Sequence, residues 1–147
     1  MTDVILLAHG KLATAMKGSG EMIFGELPNF HPIEFLVGEG LDTVVDKLEK
    51  TMATIDADSV LIITDIFSGT PYNASCAYAM KHTDKNIRVL SGMSLPIVLE
   101  TAAMRENASA DDIVSHILDV GKDTIRTFEL SAIEEEEEYN ADSISKN

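Results

Sequence analysis

A chain of 147 residues, 45% of them hydrophobic, can bury one core, and no break in composition marks a second domain. Its formal net charge of −14 argues against nucleic acid as a partner, because phosphate binding needs a basic patch. The lone cysteine, Cys76, excludes an internal disulfide. No apolar run approaches membrane-spanning length and no basic leader precedes one, so a soluble cytoplasmic protein is expected.

The first apolar run, residues 4–7, is continuous, as in a fully buried strand of a parallel sheet. It ends at Ala8-His9-Gly10, where glycine lets the backbone turn. Residues 11–24 then read as a helix carrying Leu12, Ala15, Met16, Met22 and Ile23. A weaker strand is expected over 31–37, with Pro32 at its start. Leu41, Val44, Val45, Leu48, Met52 and Ile55 recur at three and four, which puts them on one helix face. Residues 59–65 and 86–92 are further strands, each running into a polar residue or glycine. Helices are expected over 71–82, 95–105 and 111–124, the last with Ser109 as its N-cap.

Alternating strands and helices predict an α/β fold: a single-domain open parallel sheet with helices on both faces, over residues 1–130. Right-handed crossovers put every strand-to-helix loop on one edge. Residues 125–130 read as a short final strand. The segment 131–147, with glutamates at 134–138, lacks periodicity and is expected to be a disordered acidic tail.

In open parallel sheets, ligands bind beyond the carboxyl ends of the strands. There the sequence delivers His9 from the first strand, Asp65 from the third, and Ser91-Gly92 with Ser94 from the fourth. Asp65 is followed by Ser68-Gly69-Thr70-Pro71. Threonine before proline is a helix start, with Thr70 as the expected cap, and a helix N-terminus behind Ser68 and Gly69 is a natural anion cradle. A carboxylate bonded to one imidazole nitrogen fixes the tautomer and stabilises charge that develops on attack by the other. Phosphate carried on His9 is the chemistry this arrangement suits. His31, His82, His116, Cys76 and Tyr78 have no such company and read as structural.

Three segments carry a family resemblance: Val-Ile-Leu-Leu-Ala-His9-Gly, Asp65-Ile-Phe-Ser-Gly-Thr-Pro-Tyr-Asn-Ala, and Ser91-Gly-Met-Ser-Leu-Pro-Ile-Val-Leu-Glu-Thr. In order and spacing they resemble the signatures of the mannose-family enzyme IIA of the bacterial sugar phosphotransferase system (PTS), over residues 1–130. The resemblance implies that His9 takes a phosphoryl group from the phosphocarrier HPr and passes it to a cognate enzyme IIB. The membrane IIC and IID subunits are then served indirectly. Asp65 would orient His9, and Thr70 would contact the phosphoryl group. It also implies a homodimer in which a C-terminal strand near 125–130 is exchanged.

Thr70 stands where the family often has serine, and Ser94 where asparagine is common. No alanine- and proline-rich linker is present, so IIB is expected as a separate polypeptide. No cofactor or metal is expected, since no second histidine lies at ligand spacing to His9. That argues against a metal-dependent hydrolase. The phosphotransfer subunit of a dihydroxyacetone kinase system shares fold and histidine, but its second signature lacks the Gly-Thr-Pro-Tyr-Asn of residues 69–73. A regulatory module sensing phosphorylation state is a further alternative.

Overall fold

Strand β1 (Thr2–His9) is buried at every residue before His9, and its alternating side chains feed two separate cores. In the computed structural model, which describes residues 1–130, 136–137 and 139–141, Val4, Leu6 and Ala8 face one helix layer and Ile5 and Leu7 the other. A strand covered on both faces needs no polar alternation, which is why the run reads as continuously apolar.

The remaining elements follow in strict alternation: α1 (Leu12–Phe24), β2 (Phe30–Phe35), α2 (Leu41–Met52), β3 (Ser59–Thr64), α3 (Thr70–Lys81), β4 (Asn86–Ser91), α4 (Leu95–Met104) and α5 (Ala110–Val120). The four strands are parallel, in the order β2-β1-β3-β4. Ala13 of α1, Val98 and Ala102 of α4, and Ile113, Val114 and Ile117 of α5 fill one core. Val44, Leu48 and Met52 of α2, with Ala74 and Tyr78 of α3, fill the other. From β1 the chain turns outward to β2, and from β3 it turns the opposite way to β4. The strand order therefore reverses between β1 and β3, and a crevice opens there at the carboxyl ends.

The helix ends differ in how they are closed. Ser109 caps α5 through a reciprocal capping box with Asp112, as expected. The cap of α3 is Gly69, not Thr70, and no side chain caps that helix. Thr70 is the first helical residue, with Pro71 behind it, so its hydroxyl is not spent on the helix end. Ser94 caps α4 by accepting from the Ile97 N–H at 3.4 Å. The helix expected over 111–124 ends at Val120 and tightens into a 3-10 turn, Gly121–Thr124.

The final strand expected over 125–130 is not formed within the chain. Backbone at 125–129 is irregular, and Ile125, Phe128 and Leu130 are exposed. A strand forms only where a second backbone completes its ladder, and these residues meet none here. The tail expected to be disordered falls largely outside the described residues; within it, 136–137 and 139–141 are helical and exposed. No helix among the described residues is long and apolar enough to cross a membrane.

Candidate functional site

His9 is the last residue of β1, one of the two inner strands, and its side chain is 47% exposed where the rest of β1 is covered. Gly10, at φ 60, turns the chain away at once, a conformation that suits glycine. Its N–H donates to the Phe35 carbonyl at 2.7 Å, tying the end of β1 to the end of β2.

Asp65 follows β3 directly and closes on His9. Its Oδ2 accepts from the His9 backbone N–H at 3.0 Å and lies 2.7 Å from His9 Nδ1. Its Oδ1 accepts from the Ile66 N–H at 3.0 Å. Burial pushes the Asp65 carboxyl up, but these hydrogen bonds from His9 and Ile66 outweigh it and hold the group below its ordinary value. An ionised Asp65 can only accept, so Nδ1 is the nitrogen that carries a proton, and in the neutral imidazole the lone pair is on Nε2. Among the described residues Nε2 has no protein partner.

The loop between Asp65 and α3 lies against the ring. A Cβ built on Gly69 would stand 3.2 Å from His9 Cε1 and 3.3 Å from two Ile66 side-chain carbons. Ser68 adopts φ 69, a left-handed conformation that is costly for a side-chain-bearing residue. The hydroxyls of Ser68 and Thr70 have no hydrogen-bond partner among the described residues, and the first N–H groups of α3 lack acceptors within the helix.

His9, Asp65 and Gly69 are thus brought into contact, with Ser68 and Thr70 flanking Gly69. Ser94 is engaged in its own helix cap. The other histidines are satisfied elsewhere. His31 Nε2 lies 2.9 Å from Asp3 Oδ2, and His116 Nε2 lies 2.9 Å from Glu100 Oε2. His82 stacks on Tyr78 at 3.9 Å. Sequence reasoning did not single out Phe35, whose ring meets that of His9 edge-on, 5.2 Å between centroids. The signal lay in pairing register: His9 and Phe35 are directly opposed on neighbouring strands.

These features define a class: a doubly wound parallel α/β domain that presents a carboxylate-held imidazole beside a helix N-terminus. A family model described as the PTS system fructose IIA component, EIIA-man, matches residues 3–118. The sorbose-specific EIIA component of Lacticaseibacillus casei is 45% identical over 118 residues, 80% of this chain and 84% of that one. The fructose-specific EIIA component of Bacillus subtilis (strain 168) is 36% identical over 118 residues, 80% of each. Among solved structures, the phosphotransferase system component EIIA from Streptococcus agalactiae superposes with a TM-score of 0.80 at 32% identity, covering 87% of this chain and 98% of that one. The chain belongs to the mannose-type enzyme IIA family, a phosphotransferase-type component of the bacterial sugar phosphotransferase system.

Proposed function

We propose that the protein is a phosphocarrier in which His9 receives a phosphoryl group from phospho-HPr and hands it to a separate enzyme IIB. The observation that carries this reading is the 2.7 Å contact between His9 Nδ1 and Asp65 Oδ2, which leaves Nε2 as the nucleophile. In the transfer, the Nε2 lone pair forms a bond to phosphorus as the bond from phosphorus to the donor breaks, and that electron pair leaves on the donor. The Nδ1 proton stays on His9. Asp65 stabilises the positive charge that spreads over the ring. The Ser68 and Thr70 hydroxyls and the free N–H groups at the start of α3 take the phosphoryl oxygens. Transfer to IIB is the same step reversed, with the acceptor in place of the donor.

The protein would act in the cytoplasm, as a homodimer built by exchange of a strand near 125–130, and would feed the IIC and IID subunits only through IIB. Incubation with phosphoenolpyruvate, enzyme I and HPr should add one acid-labile, base-stable phosphoryl group. His9→Ala should take up none. Label on another histidine, or undiminished labelling of His9→Ala, would overturn the reading.

A further inference from the structure

Rotation of the His9 ring about its Cβ–Cγ bond is opposed by one side-chain hydrogen bond, that at Nδ1. With the side chain 47% exposed, any rocking that this one bond allows is carried to Nε2 on the far side of the ring, which then sweeps an arc. In-line transfer does not tolerate that: about 1 Å of misplacement costs about 10²-fold in rate. Two further contacts restrain the ring, one from each neighbouring strand. On the β2 side, Phe35 sits opposite His9 in register, with its ring inclined 69° at 5.2 Å, an edge-on geometry that aromatic rings favour. The bond from the Gly10 N–H to the Phe35 carbonyl, 2.7 Å, locks that register at the turn.

On the β3 side, Gly69 closes on Cε1, the ring carbon between the two nitrogens. Its φ of −101 and ψ of 177 are open to any residue, so backbone conformation does not explain a glycine there. Nor does capping, because serine, aspartate and asparagine are at least as good at this position. Space explains it: a Cβ would meet Cε1 at 3.2 Å and Ile66 at 3.3 Å, closer than ordinary contact.

We propose that Phe35 and Gly69 are positioning residues for transfer at His9, forming a slot that holds the imidazole plane while Asp65 holds its tautomer. The proposal rests on His9 being the phosphorylated residue. Neither residue needs to touch the phosphoryl group; each acts through the ring.

The experiment uses the full chain and the variants Phe35→Leu, Phe35→Tyr and Gly69→Ala, with labelled phospho-HPr as donor. The slot predicts that Phe35→Leu and Gly69→Ala lower kcat by at least about tenfold with KM within about twofold, as expected of lost orientation without lost docking. Phe35→Tyr, which keeps the ring, should recover most of the loss. Nitrogen-15 spectra of the His9 ring, without any donor, should show one tautomer in every variant, since Asp65 is kept, but exchange-broadened ring signals in Phe35→Leu and displaced ones in Gly69→Ala, where a Cβ would press on Cε1. An unchanged kcat, a change confined to KM, or failure of Phe35→Tyr to recover the rate would overturn the proposal. If the parent takes no label at His9, the phosphocarrier reading fails, whereas the ring spectra still decide whether the slot holds the imidazole.

Discussion

At the scale of single residues, the proposed transfer turns on what one carboxylate does to one ring. Asp65 has a side chain only 11% exposed, yet three donors converge on it, which suits the ionised form. Asp65→Asn keeps the shape, removes the charge and lets the wrong tautomer form. Phosphoryl uptake from HPr should fall by at least ~10²-fold, the low end for a group managing charge and protons in a transition state, while circular dichroism shows the fold retained. Full-rate transfer would reduce Asp65 to a structural residue. The same carboxylate makes stability depend on acidity. Its folded value lies below the ordinary 3.8, so its contribution is present above the unfolded value and lost as pH falls through the folded one. Urea denaturation should therefore show a gap between parent and Asp65→Asn that is constant above about pH 5 and closes in more acidic buffer. A gap that widens with acid would reverse the sign of the argument.

At the scale of elements, periodicity carried most of the fold. The four strands of the sheet and the helices around it stand close to where the sequence pattern puts them, because tertiary packing there agrees with local pattern, whereas 125–130 forms no strand within the chain. Helix starts were less legible. Thr70-Pro71 marks a helix start, but one residue early: the cap is Gly69, and the residue types alone cannot say that a ring from another strand occupies the space a better cap would need. The pairing of His9 with Asp65 required the sheet order, which no periodicity carries. β1 and β3 are separated in sequence by α1, β2 and α2 and become neighbours only through the reversal. Phe35 was hidden for the same reason, since its meaning depends on register with β1. Ser109 was fully legible. Its hydroxyl accepts from the Asp112 N–H at 3.2 Å, and the Asp112 carboxylate accepts from the Ser109 N–H at 3.2 Å. Ser109→Ala should cost about 1 kcal/mol, the usual value of such a cap, read as a lower urea midpoint with unchanged slope, and phosphoryl uptake should not change.

At the scale of the molecule, the sheet is open at both edges, β2 and β4, among the described residues. β4, the edge strand from which the chain runs on to its C-terminal part, has β3 on one side and, among the described residues, no strand on the other, so a row of backbone donors and acceptors faces outward. Beyond α5, Ile125, Phe128 and Leu130 are all exposed. An open strand edge and an uncovered apolar segment in one small domain are both liabilities for a monomer. A second copy of the chain resolves both at once if each segment 125–130 adds to the other's β4. On that proposal, 125–130 forms no strand in the single chain because the ladder it would complete would belong to a partner. Two truncations separate this part of the C-terminus from the acidic segment after it. A chain ending at Ser131 keeps the apolar segment and should remain a dimer with normal phosphoryl uptake from HPr. A chain ending at Asp123 loses the segment, leaves β4 open, and should give monomers or aggregates. Molar mass by light scattering on both decides the matter. If the shorter chain remains a clean dimer, the exchange does not occur, and the contact between subunits is made by helices instead.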